Sequence, residues 1–160
     1  MTQSQELGTI ARLIIDSNLY MVIGTADETG IPWLSPVYYS SVRYTDFYWI
    51  SSPEARHSRN LAVRPQVSIV LFDSQAPVGT GQAVYMSAVA EEVAGVDLDQ
   101  GIAIYNGRFA NPVERGVRVM KPEELLPPAS YRLYRATASE HWILDPTSGR
   151  TGDHRIRVSV

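Results

Sequence analysis

Leu19-Tyr20-Met21-Val22-Ile23-Gly24-Thr25-Ala26-Asp27-Glu28-Thr29-Gly30-Ile31-Pro32-Trp33-Leu34-Ser35-Pro36-Val37-Tyr38-Tyr39-Ser40-Ser41-Val42-Arg43-Tyr44-Thr45-Asp46-Phe47-Tyr48-Trp49-Ile50-Ser51 is the stretch that decides the fold. It is rich in Tyr, Trp, Val and Ile, residues that fit a pleated, half-buried surface. Two short turns, at 27–30 and 44–46, divide it into strands over 19–25, 31–43 and 46–51. A parallel crossover needs a dozen or more residues, so these links allow only antiparallel neighbours, and a meander is expected.

Outward from that run, Leu7, Ile10, Ala11, Ile14 and Ile15 recur at helical spacing and predict an amphipathic helix ending near Asn18. A second helix is expected over 53–63, stopping before Pro65 because the residue preceding proline disfavours the helical region. The nearly continuous apolar run 67–72 predicts a strand buried on both faces. After a Gly/Pro-containing loop at 73–81 comes a strand over 82–93, then a helix over 97–105. Residues 106–128 read as irregular, with a short helix at 122–126. A late strand is expected at 131–144 and a closing one at 156–160. About six strands with short reversals and few helices favour an antiparallel Greek-key or up-and-down barrel with flanking helices, a mainly β (α+β) fold in one domain over 1–160.

The 160 residues suffice for a real core, and no repeat or low-complexity tract divides them. The net charge of −3 gives no sign of a nucleic-acid or anionic-membrane surface. Without cysteine, disulfides, thiolate catalysis and Cys-based metal sites are excluded. No 18-residue apolar span occurs, and the first residues lack the basic-then-apolar order of a signal peptide, so a cytoplasmic protein is expected.

The chemistry concentrates in Ser51-Ser52-Pro53-Glu54-Ala55-Arg56-His57-Ser58-Arg59-Asn60-Leu61. Two hydroxyls and then three cationic or titratable side chains stand at a strand-to-helix junction. Helix-initial amides favour a phosphate dianion there, and arginine adds charge-assisted bonds. The plainer reading makes Ser52 a helix cap with Pro53 at the first helical position and Glu54 in the first turn, its arginines facing solvent. Other chemistry recedes. His57, His141 and His154 lie in no metal-binding spacing, and no serine lies in a nucleophile-elbow setting. Gly79-Thr80-Gly81 reads as a hairpin loop, and Glu91-Glu92 as solvated neighbours on opposite strand faces.

Taken in order, Gly24-Thr25-Ala26, the turn 27–30, Ile31-Pro32-Trp33-Leu34-Ser35-Pro36-Val37-Tyr38-Tyr39, Phe47-Tyr48-Trp49-Ile50-Ser51-Ser52, Ala55-Arg56-His57-Ser58-Arg59-Asn60-Leu61, Pro65-Gln66-Val67-Ser68-Ile69-Val70-Leu71 and Gln82-Ala83-Val84-Tyr85-Met86-Ser87-Ala88-Val89-Ala90-Glu91 resemble the pyridoxamine 5'-phosphate oxidase-like superfamily, flavin-binding split β-barrels. The likeness covers roughly residues 5–95, and the late strand more loosely. It implies a six-stranded antiparallel Greek-key split β-barrel that binds FMN. It places Ser35, Pro36, Val37 and Tyr38 along the isoalloxazine, Ser51 and Ser52 near the flavin and its phosphate, and Arg56 and His57 on that phosphate with Arg59 as a third cation. Gln82 matches a family glutamine close to the flavin, and Trp142 a late-strand tryptophan reaching it from the other subunit of a homodimer. His57 replaces a family lysine, so the resemblance implies a pH-sensitive affinity, since imidazole titrates near neutrality. The substrate side departs from the oxidases: Ser40 stands where they carry a lysine, no Ser-Arg-Pro segment precedes the late strand, and His154-Arg155-Ile156-Arg157 only approximates their C-terminal Arg-x-His. Vitamin B6 oxidation is therefore not expected. The implied activity is FMN-dependent oxidoreduction of a small molecule, with an F420-dependent reductase and a non-catalytic flavin or heme carrier as alternatives.

Overall fold

Tyr39 divides the strand that alternation predicts over 31–43. In the computed structural model, which describes residues 3–145 and 154–160, the chain forms α1 (Gln3–Ser17), β1 (Tyr20–Ala26), β2 (Pro32–Tyr38), β3 (Ser40–Val42), β4 (Asp46–Ser51), α2 (Arg56–Val63), β5 (Gln66–Phe72), β6 (Ala83–Glu92), α3 (Leu98–Asn106), β7 (Arg132–Leu144) and β8 (Arg155–Val158). The strands form one antiparallel sheet ordered β2-β1-β5-β6-β7-β4-β3, with β8 also on β7. β2 and β3 follow each other in sequence yet lie at opposite edges of that path. The sheet therefore curls until its edges meet at Tyr39, which makes it a split barrel with eight strands rather than six.

The expected meander is corrected at the same point. β1 pairs β2 and β3 pairs β4, but β1 takes β5 on its other side and β4 takes β7. The seam is held by side chains. Tyr39 is fully buried and its hydroxyl donates to the Ile15 carbonyl of α1. Arg108, just past α3, donates to the carbonyls of Tyr39 and Asn18 and lies 4.3 Å from the Tyr39 ring centroid. A guanidinium on two carbonyls and a ring face substitutes for the missing ladder bonds.

The core sits inside the curl. Leu7, Ala11 and Ile15 of α1 plug it against Met21, Ile23, Phe47, Trp49, Ile69, Leu71, Val84 and Ile143. β5 corrects the expectation of burial on both faces: Val67, Ile69 and Leu71 face inward, while Ser68 and Phe72 are exposed. No helix among the described residues covers its outer face, so alternation holds as in any one-sided antiparallel sheet. β4 is packed on both sides, with Phe47 and Trp49 in the main core and Tyr48 in a second cluster with Leu98, Ile102, Met120, Leu125 and Leu133. Residues 106–128 thus carry Met120 and Leu125 onto the barrel wall, and the short helix expected at 122–126 is a 3-10 turn over Pro122–Glu124.

Candidate functional site

The helix α2 begins at Arg56, not Pro53. Ser52 Oγ accepts from the Glu54 amide at 3.1 Å, and the Ser52 carbonyl accepts from Ala55 N at 3.1 Å. Residues 52–55 are consumed by that turn, so the expected Ser52 cap with Pro53 at the first helical position is not formed. Ala55 is the N-cap in extended conformation and brings no side-chain cap. The first amides of a helix have no intrahelical acceptor, so the end facing the β4 exit keeps donors and the positive end of the dipole available.

Under that end lies a polar cluster. His57 Nε2 is 2.8 Å from Ser51 Oγ at the end of β4, and Nδ1 is 3.1 Å from Ser35 Oγ in the middle of β2. Burial pushes the His57 imidazole below its ordinary value. Three residues on, along the same helix face, buried Asn60 donates to Thr25 Oγ1 at 3.0 Å, and Thr25 donates to the Trp33 carbonyl at 3.2 Å. α2 is thereby fixed to β1, β2 and β4 at one end of the barrel. Its C-terminal side is tied as well, because Arg64 donates to the carbonyls of Asp27 and Glu28 in the β1–β2 turn.

The cations divide. Arg56 is exposed, with its guanidinium 4.4 Å from the Trp33 ring centroid. Arg59 turns back instead, donating to the Glu54 carbonyl at 2.7 Å with the Glu54 carboxylate 3.9 Å away. The Asp27 carboxylate in the adjoining turn is held below its usual range, first by the Thr29 hydroxyl and then by the Ile31 amide, with Arg56 adding to the effect.

Of the residues singled out in the sequence, Ser35, Ser51, Ser52, Arg56 and His57 therefore come together. Pro36, Val37 and Tyr38 continue β2, which has a strand partner on one side only among the described residues. Ser40 is fully buried and spends its hydroxyl on the Tyr105 carbonyl at 2.8 Å. Gln82 and Trp142 are elsewhere: β6 and β7 lie three and four places from β2 along the sheet. Trp142 pairs in register with Tyr85, and Gln82 Oε1 is buried with no hydrogen-bond partner among the described residues. Trp33, Thr25 and Asn60 belong to the cradle and sequence reasoning missed them. Asn60 had one available signal, a polar residue three positions after His57 on the face that Leu61 buries.

The outer face of the sheet is open. Gly24, Ser68 and Ser87 stand opposite one another across β1, β5 and β6, making a row of minimal side chains. Leu34, Val89, Ser139 and their neighbours line a 610 Å³ groove over that row. Tyr85 and Trp142 flank an adjoining hollow with Val22 and Val70.

A family model described as pyridoxamine 5'-phosphate oxidase matches residues 10–138. Among curated proteins, none matches the chain. Solved structures with the same fold include a heme binding protein from Mycobacterium smegmatis, at 20% identity and TM-score 0.67 over 92% of this chain and 56% of that one. HutZ, a heme storage protein from Vibrio cholerae, is 22% identical with a TM-score of 0.64 over 87% and 92%. A FAD-binding protein from Mesorhizobium loti is 15% identical with a TM-score of 0.63 over 84% and 91%. This chain thus spans little more than half of the M. smegmatis protein. No helix among the described residues is long and apolar enough to cross a membrane.

Proposed function

Because this chain belongs to the pyridoxamine 5'-phosphate oxidase family, we propose that it binds FMN and works as a cytoplasmic oxidoreductase on a small molecule. The observation that carries this reading is the first turn of α2, which has no side-chain cap, with Arg56 exposed beside it and the Ser51 and Ser52 hydroxyls leading into it. A phosphate monoester is the ligand that uses all of these at once: amides and dipole for its charge, guanidinium for charge-assisted bonds, hydroxyls for its remaining oxygens. β2 suits the rest of the cofactor, since along Ser35, Pro36, Val37 and Tyr38 its unpartnered side leaves the main-chain groups of alternate residues, with no N–H from Pro36, for the polar edge of a flat heteroaromatic. Bound flavin would supply the hydride chemistry. The protein's part is to hold and orient. Arg56 neutralises the phosphate from its seat on Trp33, Ser51 and Ser52 direct hydroxyls to it, and Arg59 rigidifies the loop through Glu54. No acid or base in the cradle is assigned a proton transfer.

Gln82 and Trp142 enter this reading through a second copy. The buried Gln82 oxygen and the apolar groove beside Trp142 fit the other half of a site shared across a two-fold dimer. The F420 alternative rests on the same helix end, because that deazaflavin also carries a phosphate. The heme alternative rests on the M. smegmatis and V. cholerae likenesses. His57 has both ring nitrogens engaged, and His141 is buried at 5% exposure with Nε2 2.7 Å from the Tyr44 carbonyl. His154, which is exposed, is then the imidazole available to iron.

The absorbance of the purified protein decides among the three. Bands at about 370 and about 450 nm mean flavin, one at about 420 nm means F420, and a Soret band means heme. Titration of the ligand-free protein with FMN should give saturable binding; retention of hemin but not FMN overturns the flavin reading. Oxidation of NAD(P)H by the loaded protein then tests enzyme against carrier.

A further inference from the structure

The imidazole of His57 lies between two seryl hydroxyls of unequal burial, and that inequality fixes where its proton sits. Ser35 Oγ is 3.1 Å from Nδ1 and Ser51 Oγ is 2.8 Å from Nε2. Ser35 is buried at 8% exposure and has no other side-chain hydrogen bond among the described residues, whereas Ser51 is half-buried at the mouth of the site. A neutral imidazole has one donor and one acceptor nitrogen, so one serine must donate into the ring and the other must accept from it.

If Nδ1 carried the proton, Ser35 would accept and its own O–H would be left unpaired in the interior, a costly arrangement. An imidazolium has the same fault, since both serines must then accept. Only the Nε2–H ring satisfies every buried group: Ser35 donates to Nδ1, Nε2–H donates to Ser51 Oγ, and the Ser51 proton is left to point outward. Burial of the ring, which holds its pKa down, acts in the same direction. The surrounding charges do not oppose it. Arg56 lies over Trp33, Arg59 is engaged by Glu54, Arg64 holds the turn carbonyls, and Asp27 is bound by Thr29 and Ile31.

We propose that Ser35, His57 and Ser51 form a neutral hydrogen-bond relay whose output is a fixed Ser51 O–H donor aimed at the cofactor phosphate. His57 is then a positioning residue and not one of the phosphate's cations, and Ser35 sets its tautomer from inside β2. Arg56 alone supplies side-chain positive charge. The relay rests on the FMN reading for its ligand but not for its geometry.

The experiment has two arms. Long-range ¹H–¹⁵N correlation spectra of the ligand-free protein near neutral pH should show His57 as the neutral Nε2–H tautomer. An Nδ1–H or imidazolium pattern overturns the relay whatever the cofactor. In the second arm, FMN and riboflavin are titrated into wild type, Ser35→Ala and Ser35→Thr. Losing the tautomer-setting hydroxyl should weaken FMN about tenfold, leave riboflavin unchanged, and be largely restored by threonine. Equal FMN affinity in Ser35→Ala and wild type overturns the proposal, as does an equal loss for riboflavin, which marks a merely structural role. A wild type that binds neither flavin but shows the Nε2–H ring removes the cofactor reading and leaves the tautomer assignment standing.

Discussion

The two halves of the molecule that carry site residues are finished to different degrees. Around α2, most polar side chains are engaged: His57 with two serines, Asn60 with Thr25, Arg59 with Glu54, leaving only the Ser58 hydroxyl buried without a partner among the described residues. Just before β6, Gln82 leaves an oxygen buried without a partner among the described residues, and on β6 Val89 is 54% exposed beside a groove of small residues. The first region is pre-organised by its own chain. The second has the character of a surface waiting for cover. On the proposed reading, the contrast divides the labour: the phosphate grip is completed within one chain, and the flat ring takes its second wall from another copy.

The largest expected effect comes from breaking the unfinished side. Val89→Glu is an exposed substitution that should change the fold's own stability by less than about 0.5 kcal/mol. On the shared-site reading it nonetheless abolishes dimerisation and flavin retention together, because a ligand that binds the assembled state is linked to assembly. Sedimentation with absorbance detection reads both; a monomer that keeps stoichiometric flavin would put Trp142 and Gln82 outside the site. Next in size is the finished side. Arg56→Ala should weaken FMN roughly tenfold to a hundredfold, the worth of a charge-assisted bond of about 1.5–3 kcal/mol. Arg12→Ala on α1 should leave affinity alone, and riboflavin should barely distinguish the proteins.

Asn60→Ala probes how much of the finish is scaffold. It removes a buried bond to Thr25 and should cost about 1–2 kcal/mol in urea unfolding, with a smaller loss of FMN than Arg56→Ala. The smallest effect is with acid. Burial lowers the pKa of both His57 and His141 in the folded state. The unfolded chain therefore takes up protons first, and stability falls as pH drops below about 6.5, the ordinary imidazole value, until the folded rings titrate too. His141→Gln should flatten part of that slope in pH-dependent urea melts, and an unchanged slope would show that the ring does not titrate with folding. For FMN the neutral ring predicts a weaker pH dependence near neutrality than an exposed imidazole cation would give.

Much of this architecture was legible in local pattern. The strand at 46–51, the loop at 73–81 and the clustering of Ser51, Ser52, Arg56 and His57 follow from β-propensity, turn residues and proximity in sequence, which are short-range properties that the fold had no reason to override. The start of α2 was misplaced by three residues because Ser52 can cap a helix or close a turn with the same oxygen, and its neighbours decided for the turn. Ser35 beside His57 was beyond reach, since 22 residues separate them and only the β1–β2 hairpin and the docking of α2 make them neighbours.

By itself, then, the sequence determined an antiparallel, mainly β chain with a cationic, hydroxyl-bearing strand-to-helix junction, because periodicity and turn chemistry act over a few residues. Only the tertiary structure decided that the stretch 31–43 is two edge strands meeting at Tyr39, that β5 is buried on one face, and that His57 sits between two serines. Each of those depends on which strand lies alongside and how deeply a group is removed from water, and both are set by long-range packing.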